Sequence, residues 1–396
     1  MFDTSRRPIV LVWEVSRACE LACDHCRAEA TPARHPDELT TTEGKRLLEQ
    51  AREFGEGQIV VFSGGDPLKR PDLTELVRYG DELGLRMALT PSGTTALTRE
   101  RLAALADAGL GRLAVSLDAG DPAIHDGYRG EQGVFADTLR AARWADDLGL
   151  DLQINTTVCA RTVDELPAVR ELAADLGATR WAVFFLVPVG RGRTLEPVSA
   201  ERADRVLDWL HEVRADADFA VKTTEAPMLR RVGLQRDGVD PDEIDPTRGP
   251  PATRPSALAG DGFAFVSHTG EVCPSGFLPE SVGNVREASV VELYRDSELF
   301  QRLRDPEALE GKCGECAFRR VCGGSRSRAF AHSGNPLGPD PLCPYVPGAS
   351  DEEAVTDGGS HESTGGESRC EVDDSVECVE RDGSLGGGDP GGTSRL

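Results

Sequence analysis

The chain reads as an α/β protein built on an open, partial (β/α)6 barrel. Three observations carry this. Six short apolar runs rich in Val, Ile and Leu recur through residues 8–190. Amphipathic stretches of helical period lie between them. A glycine closes most of those stretches.

The apolar runs are Pro8–Val15, Ile59–Ser63, Arg86–Thr90, Arg112–Asp118, Asp151–Val158 and Arg180–Val187. Their length and branched side chains suit buried parallel strands. The amphipathic stretches are Thr40–Phe54, Asp72–Leu83, Thr98–Ala108, Phe135–Leu148 and Val163–Leu176. Gly55, Gly84, Gly109, Gly149 and Gly177 follow them, where a left-handed residue ends a helix. Thr98 and Asp164 suit helix N-caps. Six units fall short of the eight of a complete TIM barrel, so the barrel is read as partial, with its site at the C-terminal strand ends.

The remaining chain divides by composition. Residues 1–198 form the barrel. Residues 199–255 form a bridge with one helix at Ala200–Ala215 and a loop at Gly233–Arg254. Residues 256–347 form a smaller module rich in Cys, Gly and Pro. Residues 348–396 are Gly, Ser, Glu and Asp with little apolar content, the signature of a disordered acidic tail. Cys370 and Cys378 fall in that tail and read as incidental.

The 396 residues carry a net charge of −24. That acidity argues against nucleic acid or anionic membrane as partners. Lys45, Lys69, Lys222 and Lys312 are the only lysines. An acidic, lysine-poor surface suits a high-salt, halophilic cytosol, where screening weakens repulsion between carboxylates. No apolar run is long enough to span a membrane, and the N-terminus lacks a signal peptide, so a cytoplasmic location is expected. Eleven cysteines, clustered and odd in number, read as metal ligands before disulfides.

Cys19, Cys23 and Cys26 follow the first strand in a C-x3-C-x2-C spacing. Three thiolates on one loop can hold three irons of a [4Fe–4S] cluster and leave the fourth iron open. Zinc is the competing reading, since Cys23 and Cys26 alone would suit it. Gly64, Gly65, Asp66 and Pro67 form a turn after the second strand. The two glycines let backbone N–H and C=O groups approach a ligand closely.

These residues make the chain resemble a radical S-adenosylmethionine (SAM) enzyme. The family's three-Cys loop matches Cys19, Cys23 and Cys26. Its Gly-Gly-Glu-Pro turn matches Gly64–Pro67, with Asp66 in place of Glu, and His25 stands where an aromatic often precedes the last Cys. The resemblance implies that the open iron binds the amino and carboxylate groups of SAM. It further implies ribose or adenine contacts from Ser116, Asp118, Asn155 and the Val187–Arg191 turn.

A second array, Cys313, Cys316, Cys322 and Cys343, offers four thiolates, enough for a closed [4Fe–4S] cluster or a zinc site. Cys273 is a fifth candidate ligand. This module resembles the SPASM/twitch extension of radical SAM enzymes. Arg326 occupies the position of a further SPASM cysteine, which favours one auxiliary cluster over two. The run from Cys322 to Ala329 resembles the haem-biosynthesis branch.

That resemblance implies reductive cleavage of SAM to a 5′-deoxyadenosyl radical, with ferredoxin or flavodoxin as electron donor. It implies oxidative decarboxylation of an iron tetrapyrrole propionate to a vinyl group, the auxiliary cluster taking the surplus electron. Modification of a ribosomally made peptide is the alternative. Peptide maturases commonly carry an N-terminal recognition domain, and the start about seven residues before the first strand disfavours that version while leaving a separate carrier protein open. Arg191, Arg193, Arg326 and Arg328 are candidate clamps for substrate carboxylates. His268 is a candidate metal ligand and Cys159 a buried apolar residue.

Overall fold

The computed structural model describes residues 2–241, 244 and 257–348. The acidic tail with Cys370 and Cys378, and most of the stretch from Gly233 to Arg254, lie outside them. Residues 1–348 form one compact unit.

Strands and helices alternate as the sequence implies. The order is β1 (Val10–Ser16), α1 (Thr41–Glu53), β2 (Ile59–Gly64), α2 (Leu73–Glu82), β3 (Arg86–Leu89), α3 (Arg99–Asp107) and β4 (Leu110–Ser116). Then come α4 (Pro122–Arg129), α5 (Val134–Asp147), β5 (Asp151–Val158), α6 (Leu166–Asp175), β6 (Arg180–Phe185), α7 (Ala200–Asp216), β7 (Ala220–Thr224) and α8 (Met228–Arg236). The strands run in parallel from β1 through β7 in sequence order.

The parallel sheet is wider than six strands. β7 pairs with β6, and β9 (Gly262–Val266) pairs in parallel with the far side of β1. β8 (Leu258–Ala259) and β10 (Val272–Cys273) pair with β9. The sheet is therefore a partial barrel whose first edge is covered by the Cys-rich module. β7 escaped the sequence reading because Ala220–Thr224 contains only one large apolar residue, Val221. The same module adds α9 (Val290–Asp296), α10 (Glu298–Arg304), α11 (Gly311–Gly314) and α12 (Arg326–Ser333).

Local signals place most boundaries. Thr40 and Glu43 form a capping box on α1, and Thr98 caps α3. The five predicted glycines all adopt positive φ just past their helices. Asp164 does not cap: a 3-10 turn at Val163–Glu165 precedes α6, and no side chain caps either. The predicted loop from Gly233 begins inside α8.

Alternation of side chains across each strand sets the core. Leu11, Trp13, Val15, Phe62, Leu113, Ile154 and Trp181 are fully buried under the helices. Trp13 meets Phe62 edge to face at 5.3 Å, and Trp181 meets Trp209 of α7 at 6.1 Å. Among the described residues, no helix is long and apolar enough to cross a membrane.

Candidate active site

The cysteine loop leaves the top of β1, and every neighbouring element grips it. Cys19 and Cys23 pack with Leu21 and Val134 in one small apolar cluster, against which Cys26 rests. The Cys19 N–H donates to the Thr31 carbonyl at 2.8 Å, and Asp24 N–H donates to Tyr128 at 3.0 Å. Arg191 donates from Nε to the Cys23 carbonyl at 2.8 Å, and its N–H reaches the Cys26 carbonyl at 3.1 Å. His25 stacks on Tyr128 with centroids 4.4 Å apart and planes 11° from parallel. Arg161 pairs with Asp24 at 2.8 Å. A loop of this length has no ladder of its own, so these contacts fix it.

The Gly64–Pro67 turn lies against the segment that leads into Cys19. Gly65 N–H donates to Ser16 at 2.9 Å and Asp66 N–H to Ala18 at 2.7 Å. A Cβ on Gly64 would stand 2.1 Å from the Ser16 carbonyl, and one on Gly65 2.6 Å from that of Ala18. Gly64 also has φ +151°. Only glycine allows this approach. The turn's N–H donors are thus engaged within the protein, which corrects the expectation that they bind a ligand. A ligand amino group would meet the turn's carbonyl acceptors.

Asp66 is fully buried and points inward. Its carboxylate accepts from Leu68 N–H at 3.1 Å, starting a 3-10 turn at Pro67, and from Ser92 Oγ at 2.8 Å. Burial raises its pKa. Ser92, just past β3, also reaches Cys19. Sequence reasoning missed it, since a lone serine after Thr90-Pro91 reads as a turn former.

Ser116, which ends β4, stands opposite Asn155 in the middle of β5, both half-buried on the inner face. Asp118 is different. It is wholly buried, pairs with Arg129 of α4, and accepts from Thr157 N–H at 2.8 Å. Burial opposes its charge, but Arg129 holds its pKa below the usual carboxylate range. Both oxygens are engaged, so Asp118 presents no free oxygen for a ribose contact and instead positions Arg129. Arg129 Nη1 stands 4.0 Å from Cys23 Sγ. Asp121-Pro122 and Gly130, a cap at each end of α4, are the signals that could have located Arg129.

Burial pushes the Cys19 thiol up to about 11 and raises that of Cys23. Deprotonation therefore requires compensation, by a metal or by a cation such as Arg129.

The second array opens on one cavity. Cys313, Cys316, Cys322 and Cys343 line it with Arg231, Lys312 and Gly324. A Cβ on Gly324 would stand 3.3 Å from Cys313 Sγ. Arg326 Nη2 lies 3.7 Å from the same sulfur, where the resemblance led us to look for a further cysteine. Burial lifts the Cys322 thiol to about 12. Cys273 is not part of this wall. It lies on β10, paired with Phe265.

Three of the four arginines proposed as substrate clamps are engaged elsewhere. Arg191 holds the cysteine loop. Arg326 donates to the carbonyls of Pro336 and Gly338 at 3.0 and 2.8 Å. Arg328 is buried against Asp340 at 3.1 Å. Buried guanidiniums need such partners. Arg193 is exposed. His268 donates or accepts at Nδ1 with Glu14, 2.9 Å away, and Glu14 also pairs with Arg27 at 2.9 Å. Cys159 is buried beside Tyr128, as expected of an apolar thiol.

The model of the Radical SAM superfamily matches residues 13–173. The AdoMet-dependent heme synthase of Oleidesulfovibrio alaskensis is 41% identical over 344 residues, covering 85% of this chain and 87% of its own. The chain belongs to the radical SAM superfamily, in the haem-biosynthesis branch. The PqqA peptide cyclase of Rhodopseudomonas palustris is 34% identical over 358 residues, covering 87% of this chain and 89% of its own. The crystal structure of SuiB from Streptococcus suis shares the fold, with a TM-score of 0.65, 16% identity, and coverage of 86% of this chain and 78% of that one.

As a radical SAM enzyme the chain works with a [4Fe–4S] cluster and SAM. The residues present fit that group. Around the loop, Arg129 Nε and Arg191 Nη2 are buried with no acceptor. Buried donors of this kind suit an anionic, acceptor-rich group in the loop's mouth.

Proposed function

We propose that this radical SAM enzyme removes CO2 from propionate side chains of an iron tetrapyrrole, leaving vinyl groups, as a step of haem synthesis. The observation that carries the reading is the 41% identity to an AdoMet-dependent heme synthase along nearly the whole of both chains. Cys19, Cys23 and Cys26 would hold the cluster, whose chemistry with SAM is one-electron cleavage of the sulfonium to a 5′-deoxyadenosyl radical. Gly64 and Gly65 would bring their carbonyls to the SAM amino group. Ser116 and Asn155, opposite each other on β4 and β5, would meet its ribose. Asp118 holds Arg129 toward Cys23, where its charge favours the thiolate. The helices covering the barrel's outer face keep water from the sheet on that side.

Cys313, Cys316, Cys322 and Cys343 would hold an auxiliary [4Fe–4S] cluster, supplying an acceptor for the electron left when CO2 departs. The shared cavity of the four thiols supports this. A ferredoxin or flavodoxin is the proposed reductant, and the cytoplasm the proposed location.

Anaerobic incubation with SAM, dithionite and Fe-coproporphyrin III tests the reading. It expects deoxyadenosine, CO2 and haem together. Deoxyadenosine without CO2 or haem would sink it and favour the second reading, peptide modification. That reading is supported by the 34% identity to a PqqA peptide cyclase.

A further inference from the structure

The two faces of the barrel sheet differ. The outer residues are sealed under helices. Inner residues Val12, Val61, Gln153 and Asn155 stay partly exposed, although their strands have neighbours on both sides. A packed barrel interior would bury them. The inner wall of this one is left partly open.

Three cations stand on that inner wall. In register, Arg112 of β4 faces Asp151, Gln153 faces Arg180 of β6, and Ala182 faces Lys222 of β7. Residues in register share a face, and so do residues two apart along a strand. Arg112, Arg180 and Lys222 therefore share the face of Ser116 and Asn155. Arg112 lies four residues below Ser116, about 13 Å along the strand. Arg180 lies close enough to Arg112, and Lys222 to both, for their charges to act on one another. The three cations thus gather in the lower lumen, beneath the strand tops where the cysteine loop is held.

Their charges are not balanced. Arg112 pairs with Asp151 at 2.9 Å, and Arg180 feels the same carboxylate. Among the described residues, no carboxylate pairs with Lys222. Its side chain keeps an exposed surface, and desolvation by the protein around it, with Arg180 and Arg112, pulls its pKa down to about 8. Three cations around one carboxylate, in a chain of net charge −24, cost stability unless an anion answers them.

We propose that Arg112, Arg180 and Lys222 form a carboxylate subsite in the lower lumen. It holds the carboxylates that the substrate keeps, and so turns the opposite edge of the macrocycle toward the cysteine loop. This deepens the tetrapyrrole reading and rests on it. The subsite decides which propionates react, because those gripped below are out of reach of a radical formed above. Arg and Lys here replace the clamps that Arg326 and Arg328, locked in the Cys-rich module, do not provide.

The test is a visible-absorbance titration of the anaerobically reconstituted full chain, without SAM, using Fe-coproporphyrin III and its tetramethyl ester. The unaltered protein should bind the acid at least tenfold more tightly than the ester. Lys222→Met and Arg180→Gln should each weaken binding of the acid about tenfold, the scale of one charged hydrogen bond. Neither should change binding of the ester, and Lys222→Arg should restore the acid. Equal binding of acid and ester by the unaltered protein overturns the subsite, and so do variants that bind the acid as tightly as the unaltered protein. The acid–ester comparison needs no variant, so it decides even if both substitutions impair folding. Failure of the unaltered protein to bind either probe overturns the tetrapyrrole reading itself and takes the subsite with it.

Discussion

The two cysteine regions are built in different ways. The N-terminal thiols stand on a loop with no regular structure, gripped by side chains and carbonyls from β2, β3, α4 and the turn after β6. The C-terminal thiols stand on α11 and short turns of their own module and face a cavity that Arg231 of α8 also lines. The first region depends on the whole barrel for its shape. The second leans on the barrel as well, with Arg230 donating to the Val321 carbonyl and Arg328 to those of Phe185 and Leu186. Its sulfurs also meet neighbours from their own module, with Gly324 and Arg326 against Cys313. A site that must admit a substrate needs a frame, whereas a closed site needs only its ligands and a wall.

The comparison can be broken most sharply at the thiols. Cys23→Ala should abolish SAM cleavage, read as deoxyadenosine by chromatography. Retained cleavage would mean that the barrel loop is not the radical source. Cys322→Ala should leave deoxyadenosine formation in place while iron falls from about eight to about four per chain. Four irons with one zinc in the unaltered protein would instead make the second region a zinc site.

Smaller effects should come from the ion pairs behind each region. Asp118→Asn leaves Arg129 buried without its partner, and Asp340→Asn does the same to Arg328. Each should cost about 3–5 kcal/mol in urea unfolding. If the regions differ as argued, Asp118→Asn lowers iron in the N-terminal site and Asp340→Asn in the C-terminal one. Loss of the same cluster in both variants would show one shared support.

The mildest effect is one of pH. His125 accepts at Nδ1 from Asp118 N–H at 3.1 Å, and burial, with Arg129 second, lowers its pKa from 6.5 to about 4. The unfolded chain binds this proton first on acidification. Its contribution to stability is therefore present above about pH 6.5 and lost as pH falls toward 4. The melting temperature of the metal-free protein should fall across that window, and His125→Gln should flatten the fall. An unchanged slope would remove His125 from the support of the barrel site.

The sequence alone determined six strands of the barrel, because the residues that face the helices are large and apolar and recur at regular intervals between amphipathic stretches. It determined the three-Cys and four-Cys spacings and the Gly64–Pro67 turn, because ligand spacing and close backbone approach are local demands. It did not reveal that β7 and β9 widen the sheet. β7 is short and mostly polar or small, and β9 joins β1 across more than 200 residues of chain.

Only the tertiary structure decided what the charged residues do. In sequence Arg129, Arg180, Lys222, Arg326 and Arg328 are alike, basic residues in an acidic chain. Folding placed Arg326 and Arg328 against carbonyls and Asp340, Arg129 beside Cys23, and Arg180 and Lys222 on the lumen wall. The physical reason is range. Apolar burial and turn geometry are set by neighbours in the chain, whereas a charge takes its role from whatever distant groups the fold brings within a few ångströms.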